Sequence, residues 1–448
     1  MPFLLESLYR LVTAAARPVL PAASLLSAKA AAAVAGRRDA GELLRNWGQD
    51  GRVSRRPLLW LHGASAGELA GAAPVVSRLR LRVPDLQLLV TYSSPSGESA
   101  ARGLEPDLQA FAPLDTVRDC EGAIDATAPD ALVFAKGDLW PGLTRAAAAR
   151  GVPLGAVNAT VRSQSRLLSP AGRALLAPSW RRLSAVGAAT EADAGRLIGL
   201  GLEPRRVRIT GDASLELALD RVAAGRARLN EGRRRLPGVP PGAIRVVAGS
   251  TWREDEDALV RAIARLRVSG LPVQLVLVPH EPEAASLRRL EMLCREYLGG
   301  EPLRYSSLSA PGSEGTNLDH AIAAPAIVID AVGFLAELYL EGTIAFVGGA
   351  FGRQGLHSVA EPAAAGLPVM FGPRHDRWEA DDLLACGGAL RLEIGGLEEA
   401  LRQLLARPAR IESMGTAARG WAETGRGAAD AGAGLVAELI RTAGGVPS

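Results

Sequence analysis

Lysine is nearly absent from this chain. Of 51 basic residues only Lys29 and Lys136 are lysines, and the rest are arginines, whose planar guanidinium suits carboxylate and phosphate partners. Acidic residues number 48, so the formal net charge is only +3, and the basic residues are spread without a long run. A nucleic-acid partner is therefore not indicated. Aromatic residues make up 4% of the chain. The three cysteines, Cys120, Cys294 and Cys386, lie far apart and show no metal or redox spacing, which fits a reducing compartment or a cytoplasmic-facing location. Long apolar runs are missing too. Residues 1–35 are apolar but interrupted by Glu6, Arg10, Arg17 and Lys29, and the longest uncharged run there is the eleven residues Pro18 to Ala28. A bilayer span needs about 20. Because Glu6 precedes Arg10, the segment also lacks the basic leader of a signal peptide. On a helix Leu4, Leu8, Leu11, Val12 and Ala15 share a face opposite Glu6, Arg10 and Arg17. That pattern fits a helix lying on a membrane surface or one packed on the protein itself.

What is present is length and regular alternation. At 448 residues, 48% of them hydrophobic, the chain is ordered and too long for one core, so two or three domains are expected. The organising stretch is Leu58–Arg82. A short apolar run, Leu58 to Leu61, reads as a buried parallel strand. The Gly63–Gly67 turn follows, then a helical pattern with Leu69, Ala73, Val76 and Leu79 on one face, which Pro74 should kink or end early. Further strands are expected at Leu86–Thr91, Ala131–Ala135, Val152–Val157, Ala185–Ala189 and Val207–Thr210. After a helix and the proline-rich connector Leu236–Gly242 the alternation restarts, with strands at Ile244–Ala248, Val273–Val278, Ala326–Asp330, Ile344–Val347 and Pro368–Phe371. Strands alternating with helices predict parallel sheets covered on both faces.

Glu68, in the first turn of the helix after the first strand, stands where such units bind ligands, at the carboxyl end of the sheet. The helix N-terminus favours its ionised form, which suits a general base. The same residues match a capping box, with Ser65 capping the helix and Glu68 reaching back to the Ser65 amide. Both roles are open at this level. Hydroxyl-rich or glycine-rich loops follow the other strands: Tyr92–Gly97, Lys136–Pro141, Asn158–Ser163, Gly211–Asp212, Gly249–Thr251, Pro279–Glu281, Gly348–Phe351 and Gly372–His375. Ser250 and Thr251 read as the opening of a helix, as phosphate ligands or as caps.

These motifs, in this order, resemble the 3-deoxy-D-manno-octulosonic acid (Kdo) transferases of lipopolysaccharide biosynthesis. The carrying stretches are HGASAGE (62–68), SPSG (94–97), DLWP (138–141), NATVRSQSR (158–166), TGD (210–212), AGST (248–251), VPHEPE (278–283), AFVGGAF (345–351) and GLHSVAEPAAAGLPVMFGP (355–373). The resemblance implies a GT-B α/β fold, two Rossmann-like doubly wound parallel-sheet domains facing across a cleft. It divides the chain into a membrane-associating helical segment (1–36), an acceptor domain (37–212) and a donor domain (213–448) whose last helix can pack back on the first. It implies an inverting transfer of Kdo from CMP-Kdo to a lipid A precursor, lipid IVA, at the cytoplasmic face of the inner membrane, by a peripheral or monotopic enzyme. Glu68 is the implied catalytic base. Donor-binding candidates are Ser250, Thr251, His280, Gly348, Gly349, His357, Ser358 and Glu361, the last at the position expected to hold the nucleotide ribose. Acceptor-binding candidates are Ser65, Ser94, Ser96, Lys136, Asp138, Asn158 and Arg162. No metal site and no cofactor is expected.

The chain departs from the family pattern in three places. Many members carry Glu-x-Glu where Lys136-Gly137-Asp138 stands here, Arg-His where Pro279-His280 stands, and Gly-Gly-His-Asn where Gly355-Leu356-His357-Ser358 stands. The competing readings are another GT-B nucleotide-sugar enzyme and a catalytically silent lipid- or nucleotide-binding relative.

Overall fold

A computed structural model describes residues 9, 13, 28–163, 165–240, 242–308, 322, 324–375 and 377–443. The reading of residues 1–36 as a surface-lying helix falls mostly outside them; the helix Ala28–Asp50 is described. Among the described residues no helix is long and apolar enough to cross a membrane.

The chain folds into two compact units, residues 1–217 with 425–448, and residues 218–424. Each is built on one seven-stranded sheet, and every strand pairing in both is parallel. The first sheet contains β1 (Leu58–Gly63), β2 (Gln87–Tyr92), β3 (Leu108–Phe111), β4 (Ala131–Ala135), β5 (Leu154–Ala159), β6 (Ala185–Ala188) and β7 (Val207–Ile209), in the order β3-β2-β1-β4-β5-β6-β7. The second contains β8 (Ile244–Thr251), β9 (Val273–Pro279), β10 (Leu303–Arg304), β11 (Ala326–Val328), β12 (Ile344–Val347), β13 (Val369–Phe371) and β14 (Ala389–Arg391), in the order β10-β11-β9-β8-β12-β13-β14. These are the Rossmann-like doubly wound sheets the sequence leads one to expect. The boundaries shift at several ends: β5 starts and stops two residues later than the apolar run suggests, β8 continues to Thr251, and β11 stops at Val328.

Burial explains why these runs become strands. All six residues of β1 are buried, with Leu58 and Trp60 in the core on one face and Leu59 and Leu61 in the core on the other. Trp60 still satisfies its indole N–H, which donates to Thr91 Oγ1 at 2.8 Å. The helix Ala66–Arg82 runs through Pro74 without ending. Its buried stripe of Leu69, Ala72, Val75, Val76 and Leu79 outweighs the one backbone bond that proline cannot donate. The last helix, Ala428–Ala443, packs on Ala66–Arg82 in the first unit. Gly432 permits the approach, since a Cβ there would stand 3.1 Å from Val75 Cγ2, and Arg82 pairs with Asp430 at 2.8 Å.

In the first sheet the chain winds outward from β1 to β3 and then returns to the other side of β1; in the second it passes from β8 and β9 to the edge strand β10, sets β11 between β10 and β9, and then returns to the other side of β8. The reversal falls between β1 and β4 in the first sheet and between β8 and β12 in the second. At such a switch point the loops diverge at the carboxyl ends of the two strands and leave a crevice for a ligand. Glu68 follows β1 and Lys136 follows β4; Trp252 follows β8 and Gly348 follows β12.

Candidate functional sites

In the first unit the centre is Glu68. Its Oε2 accepts the Ala64 N–H at 2.7 Å. Ser65 occupies the N-cap position in extended conformation but makes no side-chain cap bond, so the capping box is not formed and Glu68 turns instead into the loop that follows β1. Burial raises the Glu68 pKa to about 7. The Ala64 bond opposes the rise, the Asp138 charge adds to it and the Lys136 ammonium opposes it. Desolvation thus outweighs the helix terminus that sequence reasoning credits with favouring the ionised form.

The other acceptor-side candidates divide in two. Ser94 donates its backbone N–H to Ala64 O at 3.0 Å and sets its hydroxyl 3.0 Å from that of Ser96, so the loops after β1 and β2 lie side by side. Lys136 adopts a positive φ of 71° and holds its Nζ 3.8 Å from Asp212 Oδ2, a carboxylate whose side chain is fully buried. Asp138 is exposed and accepts the Trp140 indole N–H at 3.0 Å. Arg162 is exposed beyond β5. Asn158 is different: it is 2% exposed, donates to Gly71 O and accepts the Ala213 N–H, both at 3.0 Å. Its buried amide is a brace between β5, the helix Ala66–Arg82 and the helix Ala213–Asn230.

Two residues of this site are missing from the sequence-based set. Arg37, on the helix Ala28–Asp50, donates to Ser93 O at 3.3 Å and lies over the Trp140 ring at 5.0 Å. His62, at the end of β1, is buried edge-on to Phe134 and Trp140, with Nδ1 3.0 Å from Thr91 Oγ1. Burial, followed by the Arg37 charge, lowers the His62 pKa to about 3, so the ring is neutral. The pair Arg37–Arg38 is visible in the sequence as part of a polar stretch, but no local pattern ties it to a strand end.

In the second unit Ser250 and Thr251 end β8, and Trp252 is the N-cap of the helix Arg253–Val268. The two hydroxyl residues therefore do not open the helix. Ser250 has φ +52°, and the buried Thr251 donates to Glu256 Oε1 at 2.9 Å. Asp255, fully buried, accepts the N–H groups of Gly349 at 2.8 Å and Trp252 at 3.0 Å. Burial raises its pKa against those bonds. The glycines after β12 serve close packing of the chain on itself. A Cβ on Gly348 would stand 2.4 Å from Ser250 O, and one on Gly349, at φ +95°, would stand 2.1 Å from Gly355 O.

Around this seam three rings gather. His280 stacks between Trp252 and His357, with centroids 4.9 and 4.3 Å away, and the Trp252 indole N–H donates to His357 Nε2 at 3.0 Å. Ser358 is exposed, with Oγ accepting the Ala360 N–H at 3.3 Å. Glu361, half-buried in the short helix Ala360–Ala365, pairs with Arg221 at 2.7 Å. Arg374 reaches the Phe351 and Gly352 carbonyls at 3.3 Å, whereas the His375 side chain is only 4% exposed and sits edge-on to Phe371. Ser250, Thr251, His280, Gly348, Gly349 and His357 thus converge at the second switch point. Among the described residues no three His, Cys, Asp or Glu side chains group as a metal site.

Comparison with known proteins gives consistent results. The family model described as 3-Deoxy-D-manno-octulosonic-acid transferase (kdotransferase) matches residues 42–216. Over 402 residues the chain is 31% identical to the 3-deoxy-D-manno-octulosonic acid transferase of Bordetella pertussis, covering 85% of this chain and 88% of that one. It is 27% identical to the enzyme of the same name from Chlamydophila psittaci, covering 79% and 78%. In fold it is similar to the UDP-GlcNAc 2-epimerase of Neisseria meningitidis, with a TM-score of 0.58, 15% identity, and 86% and 100% of the two chains covered.

Proposed function

The chain belongs to the 3-deoxy-D-manno-octulosonic acid transferase family, and from that premise we propose that it transfers Kdo from CMP-Kdo to a lipid A precursor, lipid IVA, with inversion and with Glu68 as general base. The observation that carries the proposal is the Glu68 carboxyl at the β1–β4 switch point, with a pKa of about 7. A base with that value is substantially ionised at neutral pH and still basic enough to take a hydroxyl proton as the new bond forms. The acceptor oxygen bonds to the anomeric carbon, the bond from that carbon to the phosphate oxygen breaks, and CMP departs with the electron pair from the opposite face. The acceptor's proton goes to Glu68.

In this reading Ser65, Ser94, Ser96, Lys136, Asp138 and Arg162 surround the acceptor. Lys136, held by Asp212, supplies a cation beside the base, a charge that suits a phosphorylated sugar. The donor lies over the β8–β12 switch point, where Ser250, the backbone of Gly348 and Gly349, and His280 and His357 offer polar contacts, Thr251 holds the end of β8 through its bond to Glu256, and Ser358 and Glu361 stand at the start of the next helix. The acceptor is a lipid, so the enzyme works at the cytoplasmic face of the inner membrane, with residues 1–36 as the membrane-facing segment. Replacing Glu68 with Ala is expected to lower transfer by about 100- to 10,000-fold while CMP binding stays near the parent value. A Glu68→Ala enzyme with full transfer activity would remove Glu68 as the base.

A further inference from the structure

The stacked rings in the second unit show more than a set of polar contacts. The Trp252 side chain has one hydrogen-bonding atom, the indole N–H, which can only donate. It lies 3.0 Å from His357 Nε2, so that nitrogen presents its lone pair and the ring proton of the neutral imidazole sits on Nδ1. The His357 backbone N–H donates to Gly348 O at 3.2 Å, which ties the residue to the loop after β12. Its ring lies against Gly349, where an added Cβ would be 3.3 Å from His357 Cδ2. Among the described residues no acceptor is recorded for Nδ1.

We infer that Trp252 is a positioning residue for the donor site: by occupying His357 Nε2 it fixes the Nδ1–H form and makes His357 a neutral hydrogen-bond donor for the phosphate oxygens of a nucleotide-sugar. The inference rests on the donor reading of this seam proposed above. The charged and titratable groups facing His357 agree with a neutral ring. His280 stacks on it from the loop after β9 at 4.3 Å, Arg377 approaches ahead of the helix Trp378–Ala385 and donates to Leu356 O at 2.6 Å, and Asp255 accepts the amides of Gly349 and Trp252 through Oδ2. Burial first, then the His280 and Arg377 charges, lowers the His357 pKa to about 4. A protonated His357 would lose the Trp252 bond, since Nε2 would then also carry hydrogen. A neutral donor has a chemical consequence: its hydrogen bond to phosphate stays constant over the working pH range, and it does not retain the released nucleotide as an imidazolium would.

The test uses the full chain labelled with 15N-histidine, tractable because there are five histidines, together with Trp252→Phe, which keeps an aromatic ring and removes the donor. In the parent protein between pH 6 and 8, His357 is expected to show a protonated Nδ1 and an unprotonated Nε2, and CMP should shift the Nδ1 resonance. Trp252→Phe is expected to bind CMP about five- to tenfold more weakly at pH 7.5. The ratio of variant to parent affinity, in which the ionisation of CMP cancels, should narrow toward pH 5, because the released His357 titrates at higher pH and gains charge. A protonated Nε2 in a parent protein that binds CMP would overturn the positioning role, and so would a pH-independent affinity ratio. A His357 signal untouched by saturating CMP would instead overturn the donor reading beneath it.

Discussion

Glu68 illustrates how one side chain can satisfy a local rule and still be used otherwise. Ser65 and Glu68 have the spacing of a capping box, yet Ser65 makes no cap bond and Glu68 accepts from Ala64. Folding raises the Glu68 pKa from 4.5 to about 7, so the folded protein binds that proton more tightly than the unfolded chain. Its contribution to stability is complete below about pH 4.5 and is lost as pH rises through about 7. Glu68→Gln removes the ionisation, so its stability relative to the parent should increase between pH 5 and pH 8, by up to about 3 kcal/mol, as read from urea unfolding at the two values. A difference that does not change with pH would mean the carboxyl is not buried as described. Transfer should follow the opposite form. On the proposed role of Glu68 the rate is expected to rise with pH through about 7 and then level. The position of Glu68 is legible in the sequence because a strand, a turn and a helix announce it; its raised pKa is not, since that depends on burial and on the charges of Asp138 and Lys136, which lie far away in sequence.

At the scale of elements, legibility follows burial. Ala131–Ala135 and Ile344–Val347 match their apolar runs because every residue is buried, and no alternation is needed to see them. β3, β10 and β14 escape a sequence reading for the complementary reason: they are short edge strands of two to four residues, too brief to show a period. Asn158 reads from sequence as a loop residue awaiting an acceptor, and the structure makes it a brace with φ +54°. Asn158→Ala strands a buried carbonyl and a buried amide and places a Cβ-bearing residue without a stabilising side chain in left-handed backbone. The expected cost is about 2–4 kcal/mol, measured by chemical denaturation; a near-neutral substitution would deny the brace. Gly348→Ala should likewise lower the thermal midpoint, because its Cβ would meet Ser250 O at 2.4 Å and overpacking costs about 1–3 kcal/mol.

At the scale of the molecule, the chain order of the two units is not simple, because residues 425–448 belong with residues 1–217. The helix Ala428–Ala443 buries Ala429, Ala433, Leu435, Val436 and Leu439 in the same core as Leu59, Leu61 and Val75, and its Ala429 N–H donates to Glu216 Oε2 at 2.9 Å. Truncation after Thr424 should therefore destabilise the first unit and spare the second, so that a two-step denaturation curve loses its step for the first unit. The likeness to the Bordetella pertussis transferase, 31% identical over 402 residues and 85% of this chain, likewise extends beyond either unit alone. The direct measurement incubates the purified protein with a tetraacylated lipid A precursor and freshly generated CMP-Kdo and weighs the lipid by mass spectrometry. The proposed transfer gives a lipid heavier by one or more Kdo units, with CMP released. An unchanged lipid mass with a protein that is folded and binds CMP would contradict it.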